Sequence, residues 1–318
     1  MEINMDFDNN NFLITGGYGF LGSWIFDALR KRGVPEANIA RYHSSEFDLT
    51  KREHCRLAIE ASNPDIIIHA AGFVGGIGLN QAQPGKLLYD NLVMGVELIE
   101  AAREMRTKKM VVVGTVCAYP KFTPVPFSED NLWGGYPEET NAAYGLAKKM
   151  LLVQLQAYRQ QYGFQGVYLL PVNLYGPGDH FEEHTSHVIP ALIRKIDRAI
   201  RLNEPELEVW GTGNASREFL FVEDAAQAIV SAAEFYNKAD PVNIGSGHEI
   251  TIRDLVTLLC HLMGYSGAIR WDTLKPDGQP RRCLDTSRAE QEFGFKASTP
   301  FEVGLKKTID WYRGSVRA

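Results

Sequence analysis

The chain has 318 residues, of which 45% are hydrophobic and 23% are charged, so it can bury a large core in one α/β domain with a smaller companion. Its formal net charge of -6 and its lack of a lysine or arginine block argue against nucleic acid or an anionic membrane as the main partner. The polar first segment, and the lack of an apolar run of roughly 20 residues, lead us to expect a cytoplasmic protein. Four scattered cysteines without a C-x-x-C pair suggest neither a disulfide framework nor a metal site.

The first half of the chain alternates short β-branched runs with longer amphipathic stretches, which is the pattern of βαβ units. The predicted strands cover residues 12–15, 65–71, 109–115 and 166–172, and the predicted helices cover residues 20–31, 87–106 and 141–162. Gly33 and Gly163 stand where two of these helices should stop. The pattern predicts an α/β fold with a doubly wound parallel sheet.

The second half has a looser, Gly/Pro-punctuated pattern. Helices are predicted at residues 187–201, 252–263 and 301–313, and short strands at residues 208–210 and 269–271. We therefore divide the chain into a first domain at residues 1–175 and a smaller one, mainly at residues 176–318, that covers a substrate. The chain is expected to return to the first domain near residues 217–247 and to rejoin the first sheet through residues 217–222.

The strongest local motif is TGGYGFLG, which places Gly16, Gly19 and Gly22 between the first strand and the first helix. Residues without Cβ at such a turn allow the backbone to approach a pyrophosphate, whose charge then lies at the helix N-terminus. The alternative is a glycine-rich turn that binds nothing. The motif predicts that residues 1–175 bind a nicotinamide dinucleotide.

The end of the second strand bears on the choice of cofactor. NAD-selective sites usually place an acid there, but Arg41 stands at this point, followed by Tyr42 and His43. A positive group suits a 2′-phosphate and favours NADP(H), with NAD remaining possible. Asp48 either contacts the adenine or caps the following helix.

Tyr144 and Lys148 stand four residues apart in NAAYGLAKK, on one face of a predicted helix. A lysine charge near the phenol would lower the pKa of the phenol and prepare it to exchange a proton with a substrate oxygen. Thr115 follows the fourth strand, at the sheet edge where such folds bind ligands. A lone Y-x-x-x-K motif is common, and the placement of this one favours a catalytic role for all three residues.

A cysteine, Cys117, lies two residues beyond Thr115, and a lone cysteine is most often an inert buried thiol. Here, however, the chain resembles the GDP-L-fucose synthase family of extended short-chain dehydrogenase/reductases. The resemblance runs over almost the whole chain. It rests on the segments AAGFVGGI, GTVCAYP, NAAYGLAKKMLLVQLQAYRQQYG, LLPVNLYGPGDHF, SHVIPALIRK, VWGTGNASREFLFVEDAA and WDTLKPDGQPRR.

The resemblance implies a Rossmann-like fold and 3,5-epimerisation with NADPH-dependent 4-reduction of a GDP-4-keto-6-deoxy-hexose. It implies that Cys117 removes the protons from C3 and C5 and that His187 returns them on the opposite face. Pro190 suits the first turn of a helix, which places His187 at or just before the helix start. Without the resemblance, His187 would be read as a surface histidine.

The remaining candidate residues line the two binding sites. Those for the GDP-sugar, implied by the resemblance, are Asn173, Lys195, Trp210, Arg217 and Asp277. Those for the cofactor, besides the glycines, Arg41 and Asp48, are Ala70, Lys148, Pro171 and His187. By analogy with relatives, the helices at residues 87–106 and 141–162 form the bundle of a homodimer.

Three departures from the family pattern bear on specificity. Thr115 replaces the usual serine and keeps the hydroxyl, whereas Phe73 replaces a common lysine and makes a different sugar plausible. Tyr18 and Ser44 stand where bacterial relatives often have arginines for the 2′-phosphate. Two alternatives therefore stay open: an NAD-dependent epimerase or reductase for another nucleotide sugar, and a dinucleotide-binding sensor without turnover.

Overall fold

The computed structural model describes residues 7–182, 186–275 and 279–317. The strands in chain order are β1 (Phe12–Thr15), β2 (Ile39–Arg41), β3 (Ile66–His69), β4 (Lys109–Val113), β5 (Gln165–Pro171), β6 (Asn173–Tyr175), β7 (Glu206–Trp210), β8 (Ser216–Phe221), β9 (Val242–Ile244), β10 (Glu249–Thr251) and β11 (Ala268–Asp272). The helices in chain order are α1 (Phe20–Lys31), α2 (Arg52–Ser62), α3 (Ile77–Ala82), α4 (Pro84–Glu104), α5 (Ala142–Tyr162), α6 (Val188–Arg201), α7 (Val222–Phe235), α8 (Ile252–Met263), α9 (Ser287–Phe293) and α10 (Phe301–Arg317).

A parallel sheet with the strand order β2-β1-β3-β4-β5-β9 forms the centre of the molecule. Helix α1 packs against α7 in one helical layer, and α4 packs against α2 and α5 in another. The direction of strand addition reverses between β1 and β3, and ligands of such sheets bind at this switch point, beyond the carboxyl ends of the strands. The predicted α/β fold with a doubly wound, Rossmann-like sheet is confirmed.

Several element ends follow from local sequence signals. Strand β4 is buried along its whole length, which explains the continuous apolar run in a sheet covered on both faces. Helix α5 ends at Gly163, which adopts φ +68°, a left-handed conformation that favours glycine. Helix α1 occupies the predicted residues, and α4 begins three residues earlier than predicted, at Pro84.

The second half of the chain builds two smaller sheets, with the orders β10-β8-β6 and β11-β7. A separate apolar core lies between these strands and the helices α6, α8 and α10. This second core supports the division of the chain that we propose near residue 175.

The prediction that residues 217–222 rejoin the main sheet is wrong. Residues Ser216–Phe221 form β8, which pairs with β6 and β10, and the chain returns to the main sheet through β9, next to β5. Both segments are short and apolar, so the choice of partner depends on long-range packing that the local pattern does not contain.

No helix within the described ranges is both long and apolar enough to span a bilayer.

Candidate active site

The glycine-rich turn forms a tight cradle between β1, α1 and the end of β3. Gly16 adopts φ +69°, and a Cβ there would lie 2.9 Å from the Ala71 backbone. A Cβ on Gly22 would overlap the Gly16 carbonyl oxygen, and one on Gly19 would lie 3.2 Å from it. Since Gly19 is also the N-cap of α1, the start of the helix is open to a bound phosphate.

The cradle touches β3, the neighbouring strand at the switch point. A Cβ on Gly16 would lie 3.2 Å from the Ala70 carbonyl carbon, so Ala70 lies beside the glycine turn, and its contact with a cofactor stays a prediction. The Thr15 hydroxyl and His69 Nδ1 form a 2.8 Å hydrogen bond that fixes the ends of β1 and β3 together. His69 Nε2 is buried without a partner in the described residues, and burial lowers its pKa well below the usual value.

Arg41 lies at the end of β2 with its guanidinium among aromatic rings. The guanidinium carbon lies 3.5 Å from the centre of the Phe26 ring and 4.6 Å from that of Tyr18, and Tyr18 stacks on His43 at 4.1 Å. Its Nη1 donates to the Gly17 carbonyl at 3.5 Å, beside the cradle. Arg41 has no ion-pair partner in the part of the chain that the structure describes, so its charge is available for a phosphate.

Asp48 does not open a helix, contrary to one of the two predicted roles. Helix α2 begins at Arg52, and the Asp48 carboxylate accepts hydrogen bonds from the Thr50 amide (3.1 Å) and hydroxyl (2.7 Å). These bonds lower the pKa of Asp48. Asp and Asn often close such local turns, which the sequence pattern did not separate from a helix cap. Contact of Asp48 with the adenine stays a prediction.

Tyr144 and Lys148 lie one turn apart on α5. The expected lowering of the Tyr144 pKa by the Lys148 charge is not found. Burial raises the pKa of the phenol, the neighbouring Cys117 raises it further, and a hydrogen bond with the Thr115 hydroxyl acts in the opposite direction. Lys148 is only 3% exposed, and burial lowers its pKa to about 8. Its ammonium has no hydrogen-bond or ion-pair partner among the described residues. A buried donor of this kind fits the ribose hydroxyls of a dinucleotide.

Thr115 and Cys117 form a short turn after β4. The Cys117 amide donates to the Thr115 hydroxyl oxygen at 3.1 Å, so Thr115 caps the turn. Cys117 keeps some solvent exposure, and its Sγ lies 3.8 Å from Asn141 Oδ1 and 3.8 Å from Arg282 Nη1. The structure thus brings together three of the predicted catalytic residues, because the Tyr144 phenol interacts with both Thr115 and Cys117.

Gly145 allows α5 to approach this turn, since a Cβ there would overlap the Cys117 carbonyl oxygen. The sequence motifs did not single out Gly145, although its place directly after Tyr144 was a possible signal. No local pattern pointed to Asn141 or Arg282.

His187 is the N-cap of α6, as predicted from Pro190 in the first turn. The residue is exposed, yet desolvation by the surrounding protein lowers its pKa, and the nearby His180 adds to this effect. His187 makes no side-chain hydrogen bond with any residue that the structure describes. Its approach to the Cys117 side of the site stays a prediction.

The predicted substrate residues that the structure describes lie on the smaller sheets and on α6. Trp210 is 59% exposed at the end of β7, and the ammonium groups of Lys195 and Lys275 lie 5.4 Å and 5.1 Å from the centre of its ring. Arg217 on β8 donates to the Gln279 carbonyl at 2.5 Å. Sequence analysis missed Lys275, the second cation beside the indole.

The other predicted binding residues are placed as follows. Asn173 opens β6 and donates to the Glu218 carbonyl at 3.2 Å. Pro171 is the buried last residue of β5, at the carboxyl end of that strand in the main sheet. Asp277 lies outside the described residues.

Comparison with known proteins places the chain in a family. A model described as the NAD dependent epimerase/dehydratase family matches residues 12–245. The chain belongs to this family. The matched residues include the glycine cradle, Thr115, Cys117, Tyr144 and Lys148.

Individual relatives match nearly the whole chain. The chain is 39% identical over 300 residues to a probable GDP-L-fucose synthase 1 of Oryza sativa, covering 94% of this chain and 90% of that protein. It is 35% identical over 303 residues to the GDP-L-colitose synthase of Yersinia pseudotuberculosis, covering 94% and 97%. A solved GDP-L-fucose synthetase structure from Naegleria fowleri is 25% identical with a TM-score of 0.89, covering 98% of this chain and 95% of that one. The resemblance drawn from the sequence motifs is confirmed.

Proposed function

We propose that the protein catalyses 3,5-epimerisation and NADPH-dependent 4-reduction of a GDP-4-keto-6-deoxy-hexose, which gives GDP-L-fucose or a close analogue. The observation that carries the proposal is the cluster of Thr115, Cys117 and Tyr144 beyond β4, beside the glycine cradle. One sugar can contact all three side chains of such a cluster. The two reactions therefore share one substrate position.

The reduction uses Tyr144, Lys148 and Thr115. When bound, NADPH supplies the hydride for the C4 ketone carbon. Tyr144 then gives its phenolic proton to the C4 oxygen, and the Thr115 hydroxyl orients that oxygen. Lys148, whose pKa is about 8, is largely charged at neutral pH and stabilises the phenolate that remains.

The epimerisation uses Cys117 and His187 on opposite faces of the sugar. Cys117 removes the proton next to the ketone, and the electron pair passes into an enolate whose oxygen lies at Tyr144 and Thr115. His187 returns a proton from the other side, which inverts the carbon. The position of His187 at the start of α6, exposed and without a side-chain hydrogen bond to any described residue, supports this role.

The residues at the cofactor crevice favour NADP(H). Gly16, Gly19 and Gly22 form the pyrophosphate cradle, and Lys148 fits the nicotinamide ribose. Arg41, without an acidic partner in the described ranges, fits the 2′-phosphate, while no acid occupies the first turn of α1. Ala70, Asp48 and Pro171 complete the proposed cofactor site.

The nucleotide half of the substrate is proposed to lie against the second core. Trp210 offers an exposed aromatic face, and Lys195 and Arg217 supply charges for the diphosphate. Asn173 and Asp277 complete this proposed site. We also propose that the base of this nucleotide is guanine.

We propose a cytoplasmic homodimer that associates through α4 and α5. These helices pack against each other and leave large apolar side chains exposed. The exposed residues are Leu88, Tyr89, Met150, Val153 and Tyr162. Light scattering on the purified protein tests the dimer, and a monomer at micromolar concentration would contradict it.

The test is to incubate the protein with GDP-4-keto-6-deoxymannose in D₂O, with NADPH or NADH, and to identify the product by NMR. We expect GDP-L-fucose with deuterium at C3 and C5 and faster turnover with NADPH. Reduction without deuterium at C3 and C5 would restrict the protein to a reductase. No product with either cofactor would refute the proposal.

One observation favours a second candidate, the 3-deoxy counterpart of this sugar. Phe73 follows β3 at the ligand edge with its ring 5.2 Å from the Lys86 ammonium, where the family commonly has a lysine. An apolar ring suits a sugar with one hydroxyl fewer, and one relative is a GDP-L-colitose synthase. A competition experiment that gives the ratio of kcat/KM for the two keto sugars decides which of the two candidate functions is correct.

A further inference from the structure

Arg282 is a buried cation without an acidic partner in the described part of the chain. It is 7% exposed, and its Nε and Nη2 donate to the neutral Gln279 Oε1 at 3.3 and 3.1 Å. Its Nη1 points to Cys117 Sγ at 3.8 Å. Buried charges are normally paired, because an uncompensated charge in a protein interior is costly. The neighbouring Arg281, by contrast, forms an exposed ion pair with Glu249.

The segment that carries Arg282 is held firmly against the site. Gln279 Nε2 donates to the Lys121 carbonyl at 2.8 Å, in the loop that follows Cys117. The buried Glu218 carboxylate accepts the Leu284 amide at 2.6 Å, and the Phe127 amide donates to the Cys283 carbonyl at 2.8 Å. These bonds fix the guanidinium beside the sulfur rather than leaving it free to turn towards solvent.

Cys117 also lies near an acceptor of fixed orientation. Asn141 Oδ1, 3.8 Å from Cys117 Sγ, also accepts a hydrogen bond from Asn80 Nδ2 at 2.9 Å. Asn141 Nδ2 donates to Glu138 Oε2 at 2.6 Å, which prevents the amide from turning over. The Asn141 acceptor favours the protonated thiol, whereas the Arg282 donor favours negative charge on the sulfur.

We propose that Arg282 is a positioning residue that orients the Cys117 sulfur and stabilises the negative charge that the sulfur carries when it acts as a base. This inference rests on the proposed function, in which Cys117 removes the protons from C3 and C5. The proton passes from carbon to sulfur, the carbon electron pair moves into the enolate, and the guanidinium keeps its own protons throughout. In this proposal the charge on the sulfur supplies the counter-charge that Arg282 lacks among the described residues.

The test measures alkylation of Cys117 in the free protein with anionic iodoacetate and neutral iodoacetamide at one pH. In both reactions the thiolate displaces iodide, and mass spectrometry follows the Cys117 peptide, with Cys117→Ser as the blank. We expect Arg282→Gln to slow the reaction with iodoacetate by about tenfold or more. The reaction with iodoacetamide should slow less, because a neutral reagent is not attracted by the cation.

Three further variants separate charge from packing. Arg282→Lys keeps the charge and should restore part of the lost rate, whereas Arg281→Gln, the matched control, should react like the wild type. Gln279→Glu gives Arg282 a carboxylate partner and should lower the preference for iodoacetate without removing the guanidinium. If Arg282→Gln does not fold, the iodoacetate preference of Gln279→Glu alone tests the proposed role of Arg282.

An unchanged reaction rate of Cys117 in folded Arg282→Gln, or in Gln279→Glu, overturns the inference. So does a variant that keeps both alkylation and deuterium wash-in but raises KM, since Arg282 would then bind the substrate instead. A wild-type protein that shows the predicted alkylation contrast but no wash-in at C3 and C5 refutes the proposed epimerase function. The role of the guanidinium beside the sulfur would survive that result.

Discussion

Lys148, to which we assign a catalytic role, should reduce the stability of the folded protein. Its ammonium is 3% exposed and lacks a partner in the described residues, so burial lowers its pKa from 10.5 to about 8. Each unit of this difference corresponds to about 1.36 kcal/mol of lost interaction in the folded state. Lys148→Met, which keeps most of the volume and removes the charge, should stabilise the cofactor-free protein by about 3 kcal/mol at pH 7.

The size of this gain should depend on pH in a defined direction. Below pH 8 Lys148 is charged in both the folded protein and the unfolded chain, so the whole cost of burying the charge reduces the free energy of unfolding. Between about pH 8 and pH 10.5 the folded protein loses the proton before the unfolded chain does, and the cost falls. The difference between variant and wild type should therefore be largest at pH 7 and small above pH 10.

Thermal unfolding at pH 7 and pH 10, followed by circular dichroism, measures both effects. For a chain of this size, about 3 kcal/mol corresponds to a rise in Tm of about 4 °C. Lys149→Met is the matched control: burial also lowers the pKa of Lys149, but its ammonium donates to the Leu132 carbonyl and lies over the Trp133 ring, so its removal should raise Tm less than that of Lys148. A Lys148→Met protein with an unchanged or lower Tm at pH 7 would refute the reasoning, as would undiminished NADPH oxidation by this variant.

The other predictions concern single groups of the site. Cys117→Ser should abolish deuterium wash-in at C3 and C5 and leave cofactor binding intact, so unchanged wash-in would remove Cys117 from the mechanism. Tyr144→Phe should stop hydride transfer with little change in NADP(H) affinity, and normal NADPH oxidation by this variant would contradict its role. Arg41→Ala should weaken NADP⁺ binding by about 1.5–3 kcal/mol and leave NAD⁺ binding unchanged in a fluorescence titration. An equal loss for both cofactors would rule out contact with the 2′-phosphate.

The features that sequence predicted well depend on neighbouring residues. Helix α1 follows a glycine cradle and ends shortly before Gly33, and both signals lie within one stretch of chain. The spacing of Tyr144 and Lys148 places them on one helix face in any fold that contains α5. Local signals of this kind do not depend on how the rest of the chain packs.

The features that sequence could not predict depend on distant residues. The pairing of β8 with β6 and β10 joins segments whose own composition suits the main sheet equally well. Arg282 reaches Cys117 from 165 residues away, through a segment held by Glu218 and Gln279. A basic residue in such a loop is usually solvated, and only the assembled fold reveals that this one is enclosed.

Gly145 has a consequence for engineering the protein. Helix α5 bears Tyr144 and Lys148 and contacts the peptide group of Cys117 at Gly145. A displacement of the α5 backbone therefore also displaces the turn that carries Cys117. Selection for better ketone reduction through movement of this helix would therefore disturb proton abstraction as well. A variant limited to one of the two reactions is better sought by exchanging individual reactive side chains than by remodelling the backbone around residue 145.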